Sequence, residues 1–161
     1  FHWGEAGSSP AACSDSYQGP SAASEVEVQT IQSYLCGIDK LAGYINFHAY
    51  SQLWMSPWGY TEQLPPDYKD QNALSAAATA AIKNVYGTTY EYGPIATTIY
   101  PASGSSADYV YGVCGAKYAY GVELRDTGEY GFLLPPNQII PSGEETYAGI
   151  VAMGQYINEH P

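Results

Sequence analysis

Positive charge is what this sequence most lacks. Five Lys+Arg stand against 16 Asp+Glu, for a formal net charge of -11 at pH 7. A surface of that sign repels phosphate backbones, which argues against nucleic acid as a partner. The only arginine is Arg125. Long apolar runs are also missing: none approaches the roughly 20 residues a helix needs to cross a bilayer, so no helical membrane span is expected. Nothing reads as a signal peptide, and Asn-x-Ser/Thr acceptors are absent, so N-glycans are not expected. Cysteine is scarce. Cys13, Cys36 and Cys114 form no C-x-x-C pair and no Cys/His zinc spacing, and their odd number suggests a missing partner. Cys36 and Cys114 can pair only if their Cα atoms come within about 7 Å.

The chain has 161 residues, the range of one domain, and can bury about two-thirds of its surface. It opens Phe1-His2-Trp3-Gly4-Glu5, which reads as the middle of something larger, so processing is expected upstream. Residues 1 to 23 are rich in Gly, Ser, Pro and Ala and read as an irregular loop. Ser24 and Glu27 spell a capping box, and Val28, Ile31, Leu35 and Ile38 recur at helical spacing, which predicts a helix from about Glu25 to Asp39. Tyr44 to Phe47 is a short buried-strand candidate that ends at His48. Pro and Gly between Ser56 and Asp70 predict a long loop, with Asp70 capping a helix whose buried face is Ala73, Leu74, Ala77, Ala78, Ala81, Ile82 and Val85. Gly87 is placed to end it.

Thr88 to Tyr92 and Ile95 to Tyr100 read as extended, and Pro101 to Ser105 as a mobile loop. A short helix follows over Ser106 to Val113. Tyr118 to Val122 is a second buried strand, ending at Glu123. Ser142 with Glu145 predicts the cap of a closing helix that buries Tyr147, Ile150, Val151, Gly154 and Ile157. Strands alternating with helices imply an α/β fold with a largely parallel sheet covered on both faces. Sites in such folds lie beyond the C-terminal strand ends, where His48 and Glu123 both fall.

By itself, a histidine at a strand end is more often a hydrogen-bonded core or surface residue than a metal ligand. A glutamate there can cap a helix or pair with Arg125. The surrounding strings point elsewhere. Asn46-Phe47-His48-Ala49-Tyr50-Ser51-Gln52-Leu53 and Val122-Glu123-Leu124-Arg125-Asp126-Thr127-Gly128, with the tail from Tyr130 to Pro141, resemble the zinc metallocarboxypeptidases of the pancreatic A/B type. The resemblance covers essentially all 161 residues. It implies the C-terminal part of a three-layer α/β/α fold, a mixed, largely parallel sheet flanked by helices. Residues 1–161 would be the C-terminal portion of one catalytic domain, whose N-terminal portion is on a separate chain or missing.

What the resemblance implies for the chemistry can be stated residue by residue. His48 matches a Zn2+ ligand, and the family takes its other two ligands from a His-x-x-Glu segment. His2 and Glu5 share that spacing, but they stand in the loop after the family's Asn-Arg substrate clamp and are read as a coincidence. Glu123 matches the general base that takes a proton from zinc-bound water. Tyr100 matches a tyrosine on a flap that closes over substrate. Tyr50, Ser51 and Phe132 match substrate contacts further from the scissile bond.

The pocket for the C-terminal side chain would be lined by Met55, Gly59, Ile95, Ala102, Ala107 and Gly121, none of them charged. Relatives that remove Lys or Arg carry an acid where Ala107 stands, because a buried cation needs an anion. Apolar or aromatic C-terminal residues are therefore expected. Asp108 is adjacent to that pocket, and Gly121 would enlarge its floor. Arg125 and Asp126 are expected to brace the turn.

The resemblance further implies a secreted, digestive hydrolase of peptides, cut by a proteolytic nick before Phe1. Its partner would be the N-terminal portion of the same enzyme, held non-covalently or through Cys13. The alternatives are a non-catalytic secreted peptide-binding protein and an inactive autolysis fragment.

Overall fold

The computed structural model describes residues 1–160. The elements run α1 (Val26–Cys36), β1 (Gly43–Ala49), β2 (Leu53–Ser56), α2 (Tyr68–Tyr86), β3 (Glu91–Pro94), α3 (Ile95–Thr98), α4 (Ser106–Gly112), β4 (Tyr118–Leu124) and α5 (Ile139–Glu159). The strands form one four-stranded sheet in the order β1-β4-β2-β3. β1 pairs with β4 and β2 with β3 in parallel, whereas β2 runs antiparallel to β4. The sheet is mixed and mainly parallel, flanked by helices on both sides.

Strand periodicity divides the core in two. Trp54, Tyr118, Tyr120 and Val122 point to one face and pack with Leu74, Ala78 and Ile82 of α2 and Met153 of α5. Leu53, Met55 and Ala119 point to the other and pack with Ile95, Ala107 and Val110. Glu123 shares the second face. The central strand β4 is buried on both sides over most of its length, while the edge strand β1 is only partly buried. The edge of β1 that faces away from β4 has no strand partner among the described residues.

Several expectations shift. α1 starts at Val26 behind Glu25, and Ser24 Oγ donates to the Glu25 carboxylate, so no capping box with Glu27 forms. None of its residues is buried. α2 begins behind Asp67 rather than Asp70, and Asp70 instead meets Lys117 at 2.8 Å. Gly87 does end α2, at φ 79 with its amide on the Lys83 carbonyl. The extended reading of Ile95 to Tyr100 is overturned by a single turn of helix, α3, docked through the Ala96 amide on the Trp58 carbonyl at 3.0 Å. β2 went unread because its strand hides in a short run before the Pro/Gly-rich loop.

α5 starts at Ile139, so Ser142 and Glu145 are interior and buried rather than capping. Its covered face is also not the expected one: Gly149 lies on Ile82, while Tyr147 is 69% exposed and Ile150 and Val151 are partly open. A Cβ at Gly149 would come within 2.9 Å of Ile82 Cγ1, so small residues permit the close α2–α5 approach. Tyr147, Ile150 and Val151 are left on the outside, while Met153, Tyr156 and Ile157 pack on the core.

Cys36 and Cys114 form a disulfide between the end of α1 and the loop after α4, and Cys13 is free and exposed.

Candidate active site

The strand register sets the geometry. His48 stands directly opposite Glu123, and Asn46 opposite Gly121, across the parallel β1–β4 pair. Side chains two apart on a strand share a face, so Asn46, His48, Gly121 and Glu123 open together beyond the carboxyl ends of the central strands. They line a cavity of about 330 Å³ completed by Met55, Ile95, Tyr100, Ala102 and Ala107.

Glu123 does not take the structural roles open to it. Its Oε2 is buried without a hydrogen-bond partner among the described residues. Arg125 is committed elsewhere, its Nε donating to Glu145 Oε1 at 2.7 Å and its Nη2 to Oε2. Burial holds the Glu123 carboxyl above its usual pKa, and the neighbouring His48 pulls it back only in part. A carboxyl so tuned can exchange a proton closer to neutrality.

Asp126 braces the turn after β4, accepting from the amides of Gly128, Tyr130 and Gly131. Three non-proline cis peptide bonds, Ala49–Tyr50, Pro57–Trp58 and Arg125–Asp126, fall at or just beyond the ends of β1, β2 and β4.

The remaining sequence candidates separate into two groups. Met55, Ile95, Tyr100, Ala102, Ala107 and Gly121 line the cavity with His48 and Glu123. Gly59 sits just behind the wall, where an added Cβ would lie 2.9 Å from the Ala102 carbonyl oxygen. Tyr50, Ser51 and Phe132 do not line it. Tyr50 and Phe132 instead meet edge to face at 5.1 Å, and the Ser51 amide donates to the Leu124 carbonyl at 3.1 Å.

Asp108, buried, turns away from the cavity: both carboxylate oxygens accept from the Gly59 amide at 2.9 Å, and one also from Tyr60. The Pro101–Ser105 loop, expected to be mobile, is pinned by the amides of Ala102, Ser103 and Gly104 on the carbonyls of Gly59, Ala6 and Phe1. Tyr100 itself is exposed. The sequence reading missed Asn46, Ile99, Gly104, Ser105 and Ser106 in the cavity wall. For Asn46 the signal was available, two residues before His48 on a strand.

His2 and Glu5 hydrogen-bond to each other at 2.8 Å, and His2 stacks on Tyr60. They are occupied locally. The described residues contain no cluster of three or more His, Cys, Asp or Glu side chains able to hold a metal ion. Catalytic zinc takes three protein ligands and leaves one position open, so the single imidazole of His48 does not by itself fit the ion.

A carboxylate and an imidazole on adjacent parallel strands thus stand at a cavity with apolar walls, and comparison with known proteins gives the family. The zinc carboxypeptidase sequence profile matches residues 1–149. The chain belongs to the zinc carboxypeptidase family. It is 48% identical over 160 residues to carboxypeptidase B of Astacus astacus, covering 99% of this chain and 53% of that protein. Against carboxypeptidase A1 of Bos taurus it is 46% identical over 154 residues, covering 96% and 36%.

Among solved structures, bovine thrombin-activatable fibrinolysis inhibitor in complex with a tick carboxypeptidase inhibitor superposes with a TM-score of 0.96 at 31% identity, covering 99% of this chain and 54% of that one. Carboxypeptidase A from Helicoverpa armigera gives a TM-score of 0.91 at 27% identity, covering 99% and 40%. The chain thus spans about half the length of these relatives, or less.

Proposed function

We propose that this chain is the C-terminal portion of a secreted, digestive zinc carboxypeptidase and works only when joined to an N-terminal portion. The observation that carries the reading is the unpartnered, buried Oε2 of Glu123 beside His48 at the cavity rim. An unsatisfied buried carboxylate oxygen costs stability, and a reacting proton is a sufficient reason to keep one.

In this reading His48 contributes one zinc ligand, and a His-x-x-Glu segment outside this chain contributes the others. An ion held by that combined set would supply an acidified water. Glu123 takes a proton and returns it to the leaving amine, a double duty for which its raised pKa suits it. The uncharged chamber walls of Met55, Ile95, Ala102 and Ala107 favour an apolar or aromatic C-terminal side chain. Closure of Tyr100 over substrate, part of this reading, is supported by its exposure at the chamber rim. Tyr50, Ser51 and Phe132 serve residues further along the peptide.

The need for a partner is supported by the unpaired edge of β1, the apolar groove formed by Tyr44, Ile45, Phe47, Ile150 and Met153, and the uncovered apolar side of α1. The test is to combine the chain with the N-terminal portion and measure zinc and release of a C-terminal Phe or Leu. One zinc per particle, with release lost in Glu123→Gln while zinc stays, is the expected result. Absence of zinc from the combined particle overturns the reading.

A further inference from the structure

Beside His48, Glu123, Tyr100 and Ser105, the lining of the chamber holds one further polar pair, Asn46 and Ser106. Asn46 lies opposite Gly121, which carries no side chain, and a Cβ built there would meet nothing within 4 Å. Nothing therefore screens the Asn46 amide from the cavity across the strand pair. Asn46 Nδ2 donates to Ser106 Oγ at 2.7 Å, tying β1 to the first turn of α4. Both residues line the chamber, and both also line a second cavity of about 260 Å³ formed with α1, so their hydrogen bond is a partition between the two.

The bond leaves two groups free. Asn46 Oδ1 takes no hydrogen bond among the described residues, and the Ser106 hydroxyl, having accepted, keeps its own O–H to give. One acceptor and one donor stand side by side, while Met55, Ile95, Ile99, Ala102 and Ala107 supply apolar wall.

We propose that Asn46 and Ser106 make this chamber select a C-terminal tyrosine over phenylalanine, the phenol hydroxyl donating to Asn46 Oδ1 and accepting from Ser106 Oγ–H. The inference rests on the exopeptidase reading given above and deepens it by naming the side chain. A phenol is matched because its ring fills apolar walls while its hydroxyl both gives and takes a hydrogen bond. Phenylalanine would leave the Asn46–Ser106 pair facing a ring edge with no hydrogen-bonding group, an unpaired polar surface that discriminates against it.

The experiment uses the chain joined to its N-terminal portion. Two peptides that differ only in a final Tyr or Phe are compared by kcat/KM, and phenylpropionate is compared with its para-hydroxy derivative by calorimetric affinity. A preference of about three- to tenfold for the hydroxylated member is expected in both, the range of one ordinary net hydrogen bond. Asn46→Ala brings both ratios to about one, and Ser106→Ala lowers them while the melting temperature falls only modestly through loss of the Asn46–Ser106 bond. A ratio of one or below in the parent, or one that survives Asn46→Ala, overturns the proposal. Should neither peptide be cleaved, the exopeptidase reading fails, and the affinity ratio of the two acids alone decides the chamber's preference. If Asn46→Ala does not fold, the parent ratio and Ser106→Ala decide it.

Discussion

Arg125 and Glu145 clasp each other across the end of the sheet: the fully buried carboxylate receives two N–H groups of the only guanidinium in the chain. Arg125 Nη2 also donates to Thr88 Oγ1 at 2.9 Å, so one side chain links β4, α5 and the segment entering β3. Removing one partner strands a buried charge. Arg125→Ala is expected to cost about 3–5 kcal/mol, read from the urea midpoint. Replacing both partners by apolar residues of similar volume restores most of that loss.

Glu123 gives a pH signature. Burial raises its folded pKa above the unfolded value, so its ionisation is disfavoured in the fold. Its favourable contribution is complete below the usual carboxylate range and is lost as pH rises through the folded pKa. Glu123→Gln, which cannot ionise, is expected to match the parent in melting temperature near pH 4 and to exceed it at pH 7. Parallel melting curves at every pH would contradict this.

Gly59 offers a test of the chamber wall. An alanine methyl there would press on the Ala102 carbonyl oxygen at 2.9 Å and on Ile95 Cγ2 at 3.3 Å. Overpacking of this kind costs about 1–3 kcal/mol. Denaturant titration of Gly59→Ala should record that loss, and the variant should handle large C-terminal side chains worse than small ones.

The Cys36–Cys114 disulfide closes a sequence separation of 78 residues. Long loops make such links effective against the unfolded chain, and replacing both cysteines by alanine is expected to cost about 2–4 kcal/mol. The same melting experiment on Cys13→Ala should show almost no change, since that thiol is exposed and unbonded.

Phe47 projects at the open edge of β1 and is 44% exposed. If the N-terminal portion covers this edge, Phe47→Asp should weaken the association at least tenfold, about 1.4 kcal/mol or more. Equal affinity of parent and variant would place the junction elsewhere.

Much of this was readable in the residues because the informative signals were local. β4 announced itself through Tyr118, Tyr120 and Val122, and β1 through the run before His48, so the strands that hold the central pair were legible. Gly87 and the short helix at Ser106 were also legible from turn chemistry. What failed depended on distant partners. Ser142 and Glu145 look like a cap until Arg125 arrives from β4 to claim the glutamate. Ile95 to Tyr100 is β-branched enough to look extended, yet the Trp58 carbonyl fixes a helical turn.

The periodicity of α5 was real and placed Ile157 against the core, but most of the face it identified remains uncovered. Tyr147, Ile150 and Val151 are apolar, while Gly149 and Met153 meet the chain's own core. Pattern reports where apolar residues lie, not which neighbour reaches them first. In the chamber, the spacing of Asn46 from His48 already put it on the same face, but that glycine stands opposite it was not legible before the strand register was known.

His48 rides on the outermost strand of the sheet, with one flank bonded and the other bare. A polypeptide that adds itself along that flank brings its own side chains alongside the imidazole in the same motion that extends the sheet. If the proposed N-terminal portion docks along that flank, uptake of the ion becomes a gauge of whether the two pieces have met.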